Sequence, residues 1–188
     1  VNTNIVLQDV KRKIDLTTQL VSVSVGATLK NKGQEEVSEF LVAFTYTELE
    51  HLAYFEADEG KSKKSGIQLS YTAVTVQGAP GDLGFFNVQQ ASPVPFNETS
   101  KISLQYVFVR HLEPFPAEIT QFESQRVLFK DNHYLLSPYK VTRQNTKISL
   151  PSPVVESYTE EGSVTMADAE LVYGPYKGTS AYRISPMT

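Results

Sequence analysis

Val21-Ser22-Val23-Ser24-Val25-Gly26-Ala27-Thr28-Leu29 alternates apolar and small residues without a break. Side chains of a strand point to its two faces in turn, so this stretch reads as a β-strand with Val21, Val23, Val25, Ala27 and Leu29 on a buried face. The turn signal Asn31-Lys32-Gly33 follows at once. Beyond it, Phe40-Leu41-Val42-Ala43-Phe44-Thr45-Tyr46 is nearly continuously apolar, the pattern of a strand covered on both faces, and the two runs are expected to pair as a hairpin. Ile67, Leu69 and Tyr71 alternate as well, but the apolar phase then slips to Val74 and Val76, which predicts a bulge near Ala73. Ile102, Leu104, Tyr106 and Phe108 mark a further strand, and Lys147-Ile148-Ser149-Leu150 another.

Helical signal is thin. Glu48 to Glu56 has room for two turns, and Thr165 to Val172 opens on a Thr-x-x-Asp pattern of the capping-box kind. Strands at regular intervals, punctuation by ten Gly and ten Pro, and no sustained 3.6-residue period together predict an all-β fold, a β-sandwich with minor short helices. Its two sheets should bury Val21, Val23, Val25, Phe40, Val42, Phe44, Leu104, Tyr106 and Phe108. Asp58 to Gly66 and Gly78 to Gly84 read as flexible connections, and strand patterns flank both. Residues 1–188 are therefore taken as one domain, with 155–188 leading toward a second domain that is absent.

Composition narrows the function classes. The 40% hydrophobic content of 188 residues is enough for a core, and 17 Lys and Arg against 21 Asp and Glu leave a net charge of −4. No global field therefore draws the protein to phosphate backbones, and nucleic acid is not expected as a partner. The short basic runs Lys11-Arg12-Lys13 and Lys61-Ser62-Lys63-Lys64 read as a solvated strand end and a solvated loop. Without cysteine there is neither a disulfide framework nor thiol chemistry. No run approaches the roughly 20 apolar residues of a membrane helix, and the chain opens at Val1 without a signal-peptide pattern.

Catalytic equipment is hard to assemble from these residues. His51, His111 and His133 are the histidines, and none belongs to the H-E-x-x-H pattern that would place two imidazoles one helical turn apart on a zinc ion. His111 and His133 could meet and recruit Glu113 or Asp131, but hydrogen-bonded structural roles explain them more simply. There is no G-x-S-x-G elbow, no P-loop and no G-x-G-x-x-G. Glu35-Glu36 and Glu160-Glu161 fall in hydrophilic turns. No cofactor and no metal are assigned, and the chain is read as a non-enzyme. Tyr134, Tyr139, Tyr173 and Tyr176, in segments flanked by Pro or Gly, are candidates for exposed rings able to stack on sugars, although the Trp common in such sites is missing.

The connection Glu113 to Tyr139, EPFPAEITQFESQRVLFKDNHYLLSPY, packs prolines, aromatics and amides as a shaped surface does. With DVKRKIDLT (Asp9 to Thr17), VESYTEEG (Val155 to Gly162) and YGPYKGTSAY (Tyr173 to Tyr182), in this order and spacing, it resembles the N-terminal luminal region of the ribophorin I family. The resemblance runs over nearly the whole chain and fades around Lys61 to Lys64 and Gly78 to Gly84. It implies a sandwich like the non-catalytic N-terminal domain of zinc aminopeptidases, present without its chemistry. It also implies a structural, non-catalytic subunit of the oligosaccharyltransferase complex, whose catalytic residues lie in another subunit. The implied place is the luminal side of the endoplasmic reticulum membrane, with a membrane anchor downstream of this fragment. Implied partners are the other subunits and nascent acceptor polypeptide. The competing expectation is a free-standing secreted β-sandwich that binds glycan or peptide.

Two surface features follow from the same segments. Asn97-Glu98-Thr99 is the single N-x-S/T match, placed after Pro93-Val94-Pro95-Phe96 in an expected exposed turn, so Asn97 is the candidate N-glycosylation site. Phe115, Tyr134 and Tyr139, stiffened by Pro114 and Pro116, are the candidate interaction surface, with folding back over the sandwich edge as the alternative fate of these rings.

Overall fold

The computed structural model, which describes residues 1–60, 66–123 and 125–188, is built almost entirely from strands. In chain order these are β1 (Ile5–Asp15), β2 (Val21–Asn31), β3 (Val37–Thr45), the short helix α1 (Tyr46–His51), β4 (Leu52–Glu59), β5 (Ile67–Gln68), β6 (Tyr71–Val74) and β7 (Leu83–Val94). Then come β8 (Thr99–Phe108), β9 (Leu112–Phe115), β10 (Arg126–Phe129), β11 (Asp131–Asn132), β12 (Lys140–Ser149), β13 (Val164–Ala167), β14 (Glu170–Thr179) and β15 (Pro186–Met187). An eight-stranded sheet has the order β13-β14-β12-β1-β2-β8-β4-β5, and a three-stranded sheet has the order β3-β7-β6. The ladders are antiparallel except for β1 with β12, which run parallel.

The two sheets pack as a sandwich, and all nine residues expected in its core are buried. Phe44 on the smaller sheet is the hub, with ring centroids 5.9 Å from Phe55, 5.3 Å from Tyr106 and 6.4 Å from Phe108, each near edge-to-face. Such pairs add to the transfer energy of burying the rings. Ala43, on the opposite face of β3, joins a second apolar cluster with Leu83, Phe85 and Leu136, so this strand is covered on both faces as its composition requires.

Four local expectations are corrected. The hairpin between Val21–Leu29 and Phe40–Tyr46 does not form, because β1 and β8 take both edges of β2 while β3 pairs with β7 in the other sheet. The bulge expected near Ala73 is absent, since β6 pairs with β7 in unbroken register from Tyr71 to Val74; the chain changes sheet just before it, β5 pairing with β4 and β6 with β7, with Leu69 turned into the core between them. The helix expected at Glu48 to Glu56 is α1 alone, capped by Thr45 with Glu48 in a full capping box, and from Leu52 the chain is strand because Phe55 and Ala57 face inward. Thr165 to Val172 is the β13–β14 hairpin, whose turn holds Asp168 at φ 54°, and no helix begins there. Lys61-Ser62-Lys63-Lys64 and most of Asp58 to Gly66 lie outside the described residues.

Residues after Tyr139 complete the large sheet. β14 pairs with β12, and β15 pairs with β11, which leaves Met187 buried near the end of the chain. Beneath β12 the inner face carries polar groups. Gln144 donates to the His133 carbonyl (3.1 Å) and to Thr146 Oγ1 (3.1 Å), and its side-chain oxygen accepts from the Leu135 N–H (3.0 Å). Both side chains are fully buried, so each satisfied bond fixes the 133–139 connection against the sheet.

Candidate interaction surface

The chain leaves the core after β8 as a two-stranded tongue. β9 and β10 pair antiparallel with Leu112 opposite Phe129 and Phe115 opposite Arg126. Period-two alternation puts Leu112 and Phe129 on one face, where they pack against the main core and root the tongue. His111 braces this root, stacked on Phe108 at 4.9 Å and 5.9 Å from Phe129. Burial and the neighbouring His51 hold its imidazole below the usual range.

Toward the tip the apolar side chains lose their cover. Phe115 is 60% exposed, Val127 62% and Phe122 94%, with Ile119 also exposed. Ion pairs line the same tongue: Lys130 with Glu113 at 2.9 Å, and Arg126 with Glu156. Single exposed hydrophobes need no explanation, but several on one projecting element with a charged rim have the composition of an interface.

The other two expected anchors are elsewhere. Tyr139 is 3% exposed, and its hydroxyl accepts the Leu41 N–H (2.8 Å) at the open edge of β3. Tyr134 is buried too, donating to Glu161 (2.7 Å) beside the Tyr176 ring, with Arg183 over its face. Exposure of these rings is therefore overturned: Tyr139 covers the sandwich edge, because an edge strand presents unpaired N–H groups that need a partner, and Tyr134 packs on Tyr176 of β14. Tyr173 and Tyr176 are likewise buried, each hydroxyl donating to a backbone carbonyl, at Thr159 and Glu161, so neither is a platform for sugars.

Arg12 departs from the solvated reading of Lys11-Arg12-Lys13. It shares the inward phase of Val10 and Ile14, is buried, and donates through Nη2 to both carboxylate oxygens of Asp131 (2.8 and 2.7 Å) and through Nη1 to the Asn132 carbonyl. Burial opposes its charge, yet Asp131 more than compensates and the guanidinium is held firmly protonated. The alternation Val10, Arg12, Ile14 carried this signal, and a buried cation in a strand demands a carboxylate.

His133 is fully buried, its Nδ1 3.0 Å from the Ser185 carbonyl and 3.4 Å from Glu161, while His111 sits beside His51 at 5.8 Å. The described residues contain no group of three or more His, Cys, Asp or Glu placed to hold a metal. Asn97 is exposed at φ 62°, on the turn between β7 and β8, where its N–H donates to the Asn31 carbonyl (2.9 Å). The Asn31 side chain organises this corner through bonds to Glu35, Val94 and Gly33.

A solved two-domain M1 zinc metallopeptidase mutant bound to L-tryptophan aligns over 98% of this chain and 42% of its own, with a TM-score of 0.51 and 12% identity. At that identity the likeness is one of fold, the β-sandwich of the aminopeptidase N-terminal domain. A protein of Arabidopsis thaliana named dolichyl-diphosphooligosaccharide–protein glycosyltransferase subunit 1B is 36% identical over 180 residues, 94% of this chain and 39% of its own length. Its namesake from Oryza sativa subsp. japonica is 39% identical over 170 residues, 88% of this chain and 36% of its own. Subunit 1 of Caenorhabditis elegans is 27% identical over 180 residues. The chain spans roughly a third of the length of these curated relatives, at 39%, 36% and 30%. The Ribophorin I family model matches residues 5–188, nearly end to end, and the chain belongs to the ribophorin I family.

Proposed function

We propose that this chain is a non-catalytic structural domain of the oligosaccharyltransferase complex, acting in protein N-glycosylation on the luminal side of the endoplasmic reticulum membrane. The observation that carries the reading is the end-to-end family match together with relatives named as subunit 1 of this glycosyltransferase. Catalytic residues are assigned to another subunit, in keeping with a sequence that lacks H-E-x-x-H, a nucleophile elbow and cysteine. Residues 1–188 act as one luminal domain, in which Val164–Ala167, Glu170–Thr179 and Pro186–Met187 are strands packed on the same core, with a membrane anchor downstream. Asn97 is its glycosylation site.

Within that role the β9–β10 tongue is the docking element for other subunits. Its exposed Phe115, Phe122 and Val127 stand on a rooted hairpin, the arrangement in which apolar anchors concentrate interface energy. Handling of nascent acceptor polypeptide is a secondary role of the same face. The test is made in cells on the full-length protein, with Phe115, Phe122 and Val127 changed together to Ser. Other glycosyltransferase subunits should no longer co-purify in mild detergent, and a reporter glycoprotein should become under-glycosylated, while the variant accumulates normally. Undiminished co-purification refutes the tongue as the docking element. A wild-type protein that is secreted free of any subunit would support the free-standing module instead.

A further inference from the structure

The two ends of the three-stranded sheet are finished differently. At one end, the outward Leu41 N–H of β3 is bonded by the Tyr139 hydroxyl at 2.8 Å. At the other end, β6 has no strand beyond it among the described residues, and Tyr71, Thr72 and Ala73 are exposed along it. An outermost strand presents unpaired backbone donors and acceptors, which soluble proteins blunt with charge, proline or cover. Tyr71-Thr72-Ala73-Val74-Thr75-Val76-Gln77 contains no charged residue and no proline.

The register fixes which groups are free. The Gln89 N–H donates to the Ser70 carbonyl at 2.9 Å, so Ser70 and Gln89 form a hydrogen-bonded pair at the head of the β6–β7 ladder. Pairing continues in step, with Tyr71 opposite Val88, Thr72 opposite Asn87, Ala73 opposite Phe86 and Val74 opposite Phe85. Bonded and non-bonded pairs alternate along an antiparallel ladder. Thr72 and Val74 therefore turn their N–H and C=O groups toward β7, and Tyr71 and Ala73 turn theirs outward. No bond meets the N–H of Tyr71 or Ala73 among the described residues.

The period of these groups selects the kind of partner. Outward donors and acceptors recur at every second residue, about 7 Å apart, and an extended polypeptide backbone repeats its own N–H and C=O groups at the same interval. Side chains narrow the choice. The Tyr71 ring packs on Phe55 at 4.7 Å and on Phe86 at 5.1 Å, facing the other sheet, yet it is 41% exposed with no strand beyond β6 to cover it. Only Leu69 and Ser70 separate β6 from β5, the end strand of the large sheet, whose Ile67 is 63% exposed. A strand laid outside β6 would set alternate side chains beside Tyr71 on this face, where a charge would be desolvated without a counter-ion. Those positions call for apolar residues.

We propose that the outer edge of β6 docks an extended segment of a partner polypeptide, which joins the three-stranded sheet as a fourth strand bonded to Tyr71 and Ala73. The segment has N–H groups free at its bonding positions and apolar side chains at alternate residues, beside the Tyr71 ring. Strand addition of this kind takes its affinity from main-chain bonds and its selectivity from alternate side chains. The site is separate from the β9–β10 tongue and rests on the edge alone, whether or not the chain works in a glycosyltransferase complex.

Amide hydrogen exchange of the 188-residue chain, read residue by residue by NMR, tests it. The probe is a synthetic Thr-Val repeat of about six residues, the usual strand length, flanked by lysines to keep it dissolved. Without probe, the amides of Tyr71 and Ala73 should exchange as exposed peptides do, while those of Thr72 and Val74 are protected. Saturating probe should slow Tyr71 and Ala73 by about tenfold or more. The same peptide N-methylated on alternate residues keeps its side chains but loses its donors, and it should give no protection. Ala73→Pro removes an outward N–H and spares the bonds to β7, as prolines on edge strands do, so it should abolish binding with the melting temperature retained. Thr72→Pro, whose N–H faces Asn87, should lower the melting temperature. Phe115→Ser, on the tongue, should leave probe binding unchanged. The proposal is overturned if probe up to about 1 mM gives no protection, or if the N-methylated peptide binds as well as its parent. Protection of Tyr71 and Ala73 that rises with protein concentration in the absence of probe assigns the edge to a second copy of this chain and overturns the partner segment.

Discussion

Replacing Tyr139 and Phe115 separately distinguishes an edge seal from an exposed anchor. Tyr139→Ala removes a ring that is 3% exposed and strips the Leu41 N–H of its acceptor at the edge of β3. Deleting a large buried aromatic costs about 3–5 kcal/mol, and the orphaned donor adds about 1 kcal/mol, so a total near 5 kcal/mol is expected. For a chain of 188 residues each kcal/mol moves the melting temperature by about 2–4 °C, which predicts a fall of roughly 10–20 °C. Tyr139→Phe keeps the ring and loses only the acceptor, for about 1–2 kcal/mol and roughly 2–8 °C. Phe115→Ala, at 60% exposure, should stay within about 0.5 kcal/mol, near the resolution of a thermal scan. Calorimetry or a circular-dichroism melt on the three variants reads all of this. A silent Tyr139→Ala, or a Phe115→Ala that drops the midpoint by several degrees, refutes the assignment of core and surface to these rings.

Three further outcomes follow from other parts of the molecule. Arg12→Met should destabilise by about 3–5 kcal/mol because it leaves Asp131 buried without its cation, and Arg12→Met with Asp131→Leu should recover much of the loss; denaturant midpoints that show simple additivity would rule this out. Glu48 is held above the ordinary carboxylate range, first by burial and then by Asp131, so the folded state binds its proton more tightly than the unfolded chain. Stability is then lost as pH rises above 4.5 toward the raised folded value, and Glu48→Gln, which keeps the cap, should gain on wild type across that interval and level off beyond it. A gain that is flat with pH from the acid side upward contradicts the sign. Asn97, exposed on its turn, should carry an N-glycan when the chain is made in a eukaryotic secretory pathway, and peptide mass spectrometry finding the site wholly unoccupied counts against it.

Much of the architecture is legible in local pattern. Val21 to Leu29 and Ile102 to Phe108 announce their buried faces by alternation, because a pleated strand sorts side chains with period two whatever it pairs with. Phe40 to Tyr46 announces cover on both faces by lacking that alternation. The four blocks that resemble ribophorin I carry the family assignment, which the match over residues 5–188 establishes. Thr45-x-x-Glu48 marks the start of α1 with a capping box that works, whereas Thr165-x-x-Asp168 has the same spacing and sits in a hairpin. The second fails because Val164, Met166 and Leu171 pack on the core in strand phase, and tertiary packing outweighs a cap worth about 1 kcal/mol.

What alternation leaves open is the identity of the neighbour. It says that β2 has a buried face but not that β1 and β8 flank it, nor that β1 lies parallel to β12, since pairing energy depends on contacts between residues far apart in the chain. The fates of Tyr134 and Tyr139 are of this kind. Proline-flanked tyrosines suit either a docking face or the seal of a sheet edge; for Tyr139 the deciding term is a free Leu41 N–H that exists only once β3 is the outermost strand of its sheet, and for Tyr134 it is the approach of Glu161 and Tyr176. Arg12 became a buried ion only when the fold brought Asp131 to it. Composition and period thus determined which faces of which strands are apolar, because that is set within each segment by backbone geometry; which strands meet, which aromatics are hidden and which charges are buried were decided by tertiary structure, because those follow from pairings between distant segments.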